Sequence, residues 1–411
     1  MKTLLHTLWA VTLLSLALNM QAKDYVMLTP LDTTSLPTIP DRDYGGQIVR
    51  RALDSDALWS NASRQLSRKH FSNKSIYRLM LQLYRSTHKH YVTFPVAYWS
   101  QTPQGDSLLV SGRVYLPERR YLNGIVVASH YTIGSDEEAP SNIISFESLF
   151  TMKGYAVIMP DYVGYGLSRD ELHPYLHWRS AAQTALDLLC CMPALLEHYG
   201  YNYPTDVVIE GYSQGGAVAL GIARMIEEQD TSFPWTIRKL YAGAGPYDPA
   251  ATYLYSVIRD EIGIPAAIPL IVMGMNDAYD LEFQLQDIFL EPLLSHYPEW
   301  ILTKQYTIQQ INQLMGTTIM SQLMTPAALD FDSPVAKALY GALRDNTNVG
   351  YDLQAPAYFL HSIEDEVVPI INSEYLVAQM PDDEQISYDF GKYGSHIAAS
   401  IPFIKYVYQD L

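Results

Sequence analysis

The sequence predicts an α/β protein: a mostly parallel sheet flanked by helices, with a helical cap inserted late in the chain and a helical extension before the sheet begins. Three observations carry this expectation. First, short apolar or β-branched runs such as Val207-Val208-Ile209 recur between stretches of helical periodicity, the alternation that builds buried parallel strands with crossover helices. Second, the alternation lapses from Pro246 to Gln354, where the chain turns helical and rich in Tyr and Met, and it resumes at Ala357. No glycine-rich linker flanks the lapse, so it reads as an insertion into one fold rather than a separate domain. Third, 48% hydrophobic and 17% charged residues over 411 positions give the composition and length of one large α/β unit with its own core.

Taken in order, Met1 to Ala22 has the pattern of a secretory signal: Lys2, an uncharged and mostly apolar run from Thr3 to Leu18, and a small residue at Ala22. The run is shorter than a spanning helix needs, and no cysteine stands near the cleavage position to take a lipid anchor. A secreted or periplasmic protein is therefore expected, with no integral membrane segment once the signal is cleaved. Residues 23–90 read as an arm and a helical extension. Lys23 to Asp43 is polar and rich in Pro and Thr, whereas Tyr44 to His90 sets Ile76, Leu79, Met80, Leu83 and Tyr84 on one helical face.

The sheet is expected to open with an antiparallel hairpin, Val92 to Trp99 and Leu108 to Leu116, across the polar turn at Pro103 to Asp106. The first part of the core, residues 91–245, continues with strands over Gly124 to Ser129, Tyr155 to Met159, Val207 to Ile209 and Ile237 to Ala242. A long amphipathic helix is expected over Arg179 to Tyr199. The acidic stretch Ser135 to Ser141 reads as disordered, with Asp136-Glu137-Glu138 solvated. Asp161, in the turn after a strand, reads as a structural acceptor of backbone N–H groups. Residues 246–354 form the cap. Its apolar run Ile264 to Met275, broken by Pro265 and Pro269, suits either an acyl pocket or plain cap core. Residues 355–411 close the core with strands over Ala357 to Leu360 and Ile386 to Phe390.

One stretch carries the chemistry. Asp206 to Leu220, DVVIEGYSQGGAVAL, is a buried-strand run followed by small helix-forming residues, with Gly211-Tyr212-Ser213-Gln214-Gly215 between them. A serine at a sharp strand-to-helix turn holds strained backbone angles, so the residues two away on either side must lack bulk. The turn lifts the hydroxyl clear of the sheet, and the helix N-terminus points at whatever the serine attacks.

This elbow resembles that of the α/β-hydrolase superfamily of serine hydrolases. The stretches Tyr98 to Pro103, Ser111 to Pro117, Pro160 to Gly166 and His173-Pro174-Tyr175 are similar to those of esterases and lipases of the secretory lipase family, from about Tyr98 to the C-terminus. The resemblance implies an α/β-hydrolase fold and a triad in the chain order serine, acid, histidine. The nucleophile is then Ser213. The acid is Asp365, in His361-Ser362-Ile363-Glu364-Asp365-Glu366-Val367-Val368-Pro369, which is similar to the family's H-G-x-x-D-x-V-V-P turn with Ser362 in the glycine position. Glu364 and Glu366 flank it, and Asp248 occupies the position used in a minority arrangement. His396 is the single histidine beyond His361 and follows the last strand. The Gln214 N–H is the first oxyanion donor. In the family a His-Gly-x turn supplies the second; Tyr131 stands where glycine is usual, which leaves the donor between Tyr131 and Thr132, with His130 beside them structural.

Several classes are disfavoured. A net charge of −17 without a basic run does not suit nucleic acid or an anionic membrane surface. No H-E-x-x-H or Cys/His cluster suggests a metal, and no phosphate or dinucleotide loop suggests a nucleotide, so no cofactor is expected. The adjacent Cys190 and Cys191 read as two buried thiols rather than a disulfide. The expected function is a secreted serine hydrolase that cleaves small-molecule carboxylic esters through an acyl-enzyme. A serine exopeptidase or acyl-aminopeptidase on the same fold is the alternative, and a hydrolase-fold binding protein without catalysis is a third reading.

Overall fold

A computed structural model describes residues 26–27, 91–229, 233–380 and 385–411. The expected signal segment and, apart from Val26–Met27, the expected arm and helical extension lie outside the described residues.

Among the described residues nine strands form one sheet in the order β1-β2-β3-β5-β4-β6-β7-β8-β9. The hairpin β2 (Tyr91–Gln101) and β3 (Ser107–Pro117) is antiparallel in unbroken register from Tyr91 opposite Pro117 to Gln101 opposite Ser107. The two-residue β1 (Val26–Met27) adds parallel to β2, so part of the arm is an edge strand. β3 also pairs antiparallel with β5 (Tyr155–Pro160). From β5 the sheet is parallel through β4 (Gly124–Ser129), β6 (Asp206–Tyr212), β7 (Thr236–Gly243), β8 (Ala357–Ser362) and β9 (Ile386–Gly391). The strands β4, β5 and β8 are buried at every residue. Burial on both faces is the reason their sequences run apolar instead of alternating.

One face is covered by α1 (Trp178–His198) and α2 (Gln214–Glu227), whose Leu188, Leu189, Leu220 and Ile222 pack on Val127, Ile158 and Ile209 in a shared core. The other face carries the C-terminal helix, with Phe403 and Val407, and the 3-10 segment Phe146–Lys153, with Phe150, against Val126, Val157 and Leu360. Cys191 is buried in α1 and Cys190 only partly so; both are free thiols.

Between β7 and β8 the chain leaves the sheet. It forms α3 (Pro249–Arg259), α4 (Ala267–Ala278), α5 (Ile308–Met315) and α6 (Pro334–Arg344), with shorter helical turns between them. These helices bury a second core of their own, centred on Ile268, Val272, Leu293, Met320 and Leu339. After β8 come α7 (Ile371–Ala378) and, beyond β9, α8 (His396–Asp410). Among the described residues no helix is long and apolar enough to cross a membrane.

The stretch Ser135 to Ser141 corrects the sequence reading. It is ordered around a 3-10 turn at Asp136–Glu138, and Ser135, Glu138 and Ser141 are buried. Two of its three acids, Asp136 and Glu138, are acceptors of backbone N–H groups, whereas Glu137 is exposed as expected. Glu138 Oε2 accepts from Gly134 and Ser135 N–H (3.2 and 3.1 Å), and Asp136 Oδ1 accepts from Gly166 N–H (2.7 Å). The fully buried Arg113 of β3 donates to the carbonyls of Pro140 (2.6 Å) and Ser141 (2.5 Å), which anchors the end of the segment to the sheet. A charge run is a solvated face only when no backbone N–H, local or distant, claims its lone pairs.

Candidate active site

The elbow follows from where the backbones cross. Ser213 sits between β6 and α2 at φ 60° and ψ −126°, a conformation sparsely populated by residues with a side chain. The sharp reversal brings Gly211 and Gly215 so close that a Cβ on Gly211 would lie 2.1 Å from the Gly215 carbonyl oxygen. One on Gly215 would lie 2.1 Å from that of Ser129. Both contacts are with backbone and cannot relax cheaply, so the two glycines of the motif are steric necessities. Ser129 ends β4, opposite Gly211 of β6, so the loop after β4 runs across the N-terminus of α2.

Ser213, Asp365 and His396 are brought together. The Ser213 hydroxyl donates to His396 Nε2 (2.8 Å), and His396 Nδ1–H donates to Asp365 Oδ2 (2.6 Å). Ser213 and His396 are 8% and 3% exposed, so the chain Oγ–imidazole–carboxylate is largely sealed from water. His396 begins α8, capped by Ser395, and its main-chain N–H donates to Glu366 Oε2 (3.0 Å). Tyr212, next to the serine, donates its hydroxyl to the His396 carbonyl (2.6 Å). The flanking acids therefore hold the histidine loop instead of replacing Asp365: Glu366 as described, and Glu364 by accepting from Gly394 N–H (3.2 Å). Ser362, at the position where the resemblance expects glycine, donates to the Gly394 carbonyl (2.6 Å) and ties the same loop to β8.

Asp365 is enclosed by donors. Oδ1 accepts from the N–H groups of Val367 and Val368 (2.9 Å each), and Oδ2 faces His361 Nε2 at 3.2 Å as well as His396. Burial alone would push this carboxyl up; the hydrogen bonds and charge of the two histidines outweigh it and hold it well below the usual carboxylate range. His361 is fully buried, and its Nε2 also faces the Val368 carbonyl (3.0 Å) while Ser373 Oγ lies 2.6 Å from Nδ1. Two acceptors on Nε2 place its proton there, and the Ser373 hydroxyl donates to Nδ1. In the sequence His361 reads only as the first residue of the H-x-x-x-D turn. Its place four residues before the acid was the signal for its support of Asp365. Asp248, the other acid considered, caps α3, with Oδ1 accepting from Ala251 N–H (2.9 Å).

Gln214 opens α2, so its N–H is one of the donors a helix leaves without an internal partner, and it lies directly beside Ser213. Tyr131 and Thr132 follow β4 in the loop that crosses this N-terminus. Tyr131 is exposed, and its carbonyl lies 2.7 Å from His130 Nδ1; Thr132 is buried, with Oγ1 2.7 Å from the Tyr175 hydroxyl. Both remain candidates for the second donor. Asp161, fully buried, accepts from the Ser111 hydroxyl (2.5 Å) and Ser141 N–H (2.7 Å), away from His396, and burial raises its carboxyl to about 6.

The cap closes over this edge of the sheet. α4 uses two faces: Ile268, Val272 and Met275 are buried in the cap core, while Pro269, Leu270, Met273 and Gly274 line a cavity of about 20 Å³ shared with Tyr165 and His173. That is room for about one water, so cap and core are in close contact in this state. The run Ile264 to Met275 is cap core on one face and lines this small cavity on the other, and Ser213 is not among the residues lining the cavity. Among the described residues no group of His, Cys, Asp and Glu could hold a metal ion.

No protein-family model and no curated protein sequence matches the chain. Solved structures do. The rice cell wall degrading esterase LipA from Xanthomonas oryzae superposes at a TM-score of 0.65, with 20% identity over 78% of this chain and 88% of that one. A putative hydrolase from Legionella pneumophila gives 0.70, with 18% identity over 80% and 92%. Lipase A from Candida antarctica gives 0.58, with 16% identity over 80% and 79%. The chain has the α/β-hydrolase fold. Within that fold, Ser213 stands at the strand-to-helix elbow, Asp365 after β8 and His396 after β9, so all three emerge at the carboxyl edge of the parallel strands, where open α/β sheets place their ligand crevices.

Proposed function

We propose that the protein is a carboxylic ester hydrolase that works through an acyl-enzyme on Ser213. The observation that carries the reading is the unbroken hydrogen-bond path from the Ser213 hydroxyl through His396 to Asp365 on a strained elbow. In the first half-reaction Ser213 Oγ attacks the ester carbonyl carbon and its proton passes to His396 Nε2. The carbonyl π electrons move to oxygen, which the Gln214 N–H and a donor at Tyr131 or Thr132 receive. As the oxyanion collapses, His396 returns the proton to the departing alcohol. Water then repeats the sequence against the acyl-enzyme and releases the acid. Asp365, held ionised, supports the imidazolium formed in each half.

The names of the similar structures, an esterase and a lipase among them, favour esters over other acyl substrates. A secreted or periplasmic setting belongs to the proposal on the pattern of Met1 to Ala22. The test is a p-nitrophenyl ester series from acetate to dodecanoate, run beside aminoacyl p-nitroanilides. Esters should be cleaved with kcat/KM at least ~100-fold above any anilide, a gap of roughly 2.7 kcal/mol in transition-state binding. Preference for anilides would make the enzyme an exopeptidase. Inertness to both, together with no labelling by a fluorophosphonate, would make it a binding protein.

A further inference from the structure

The side chain of Gln214 is as closely held as its backbone, by a residue from a different loop. Its Nε2 lies 2.9 Å from His173 Nε2, and His173 Nδ1 lies 2.8 Å from the Val163 carbonyl. A carbonyl can only accept, so Nδ1 carries the proton, and Nε2 is left as the acceptor for the Gln214 amide N–H. Gln214 and His173 are 3% and 5% exposed, and among the described residues Gln214 Oε1 has no partner and His173 is the polar anchor of this side chain. His173 cannot swing. Its ring is parallel to that of Tyr162 (6.2 Å, 7°) and packed by Tyr165 (5.0 Å) and Tyr175 (5.9 Å). Cap residue Gly274 closes on its backbone, where a Cβ would lie 2.7 Å from the His173 carbonyl oxygen.

We propose that His173 is a positioning residue for the oxyanion site. By accepting from Gln214 Nε2 it fixes the orientation of Gln214 and so aims the adjoining N–H at the oxygen of the tetrahedral intermediate. The same bond keeps Oε1, an acceptor, from rotating into the space the oxyanion occupies. The inference rests on the acyl-enzyme reading above and adds a residue to it. An oxyanion donor acts through geometry fixed before the reaction, so a displaced donor costs rate without costing substrate binding.

Two substitutions at one position separate this role from packing. His173→Asn keeps an N–H where Nδ1 faces Val163 and removes the acceptor for Gln214. His173→Gln can reach the Nε2 position with its Oε1 and restore that acceptor. For p-nitrophenyl butyrate, His173→Asn should lower kcat about 10-fold, with KM within about two-fold. The Ki of a trifluoromethyl ketone, which forms an oxyanion on the serine, should rise by a similar factor, and His173→Gln should recover most of both losses. Gln214→Met, which keeps the backbone N–H and removes the amide, should reproduce the His173→Asn profile whether or not the histidine variants fold well, and the double variant should add nothing further. Losses in both histidine variants that track their melting temperatures, or a Gln214→Met enzyme with wild-type kcat and ketone Ki, would overturn the proposal. Wild-type protein that fails to label with a fluorophosphonate would overturn the acyl-enzyme reading and this one with it. Labelled wild type with an unaffected His173→Asn enzyme would overturn this one alone.

Discussion

Ser213→Ala is expected to reduce kcat/KM for any ester substrate by ~10⁴-fold or more, which corresponds to at least about 5.5 kcal/mol of transition-state stabilisation. The loss is this large because no other hydroxyl takes its place: His396 Nε2 accepts from Ser213 and from nothing else that could be acylated. The fold should tolerate the change. Alanine occupies the φ 60° conformation no worse than serine does, and the hydrogen bond removed is worth about 1 kcal/mol. Circular dichroism and a melting curve close to wild type, alongside the collapse in rate, separate a lost nucleophile from a lost structure. Residual ester turnover above ~1% of wild type would assign the chemistry to another group.

The second large effect is expected at Asp365, and its mechanism follows from the inventory of donors around it. Both oxygens receive donors only: two backbone N–H groups on Oδ1, and His361 and His396 on Oδ2. In Asp365→Asn one of these positions becomes an NH₂. The backbone donors of Val367 and Val368 cannot change, so the asparagine keeps its oxygen toward them and turns its NH₂ to the histidines. His396 can meet that NH₂ only by presenting an unprotonated Nδ1, which moves its proton to Nε2. An Nε2–H cannot take the proton of Ser213. The expected result is a fall of about 10⁴-fold in kcat with KM changed little, the signature of a wrong tautomer. Asp248→Asn is the control. Asparagine caps a helix about as well as aspartate, so rate and melting temperature should both stay near wild type. If Asp248→Asn were the more damaging change, the acid would belong after β7 and the arrangement around Asp365 would be structural only.

What could be read from the residues in advance was whatever depends on neighbours in sequence. The strands were visible because burial on both faces makes their sequences continuously apolar, as in Tyr155–Pro160. The elbow was visible because its steric demands fall within five residues. Asp365 was proposed from the likeness of its turn to the family's, and His396 from chain order as the single histidine beyond His361. Features that depend on partners far apart in sequence were hidden. Asp136 looked solvated because its acceptor role toward Gly166 N–H, like the buried Arg113 that anchors the segment, comes from another loop or strand. The His173–Gln214 contact joins residues 41 apart. The second oxyanion donor stayed open for a similar reason: the loop from His130 to Thr132 is shaped by Asp161 and Tyr175, neither of them near it in the chain.

The account turns on one claim, that Ser213 is the atom acylated. The most direct measurement is peptide mass spectrometry of the wild-type protein after reaction with a fluorophosphonate. The account predicts a single adduct per chain, on the peptide that contains Ser213, with none formed in Ser213→Ala. An adduct on any other residue, or an unmodified wild-type protein under conditions that fully label a control esterase, would contradict it.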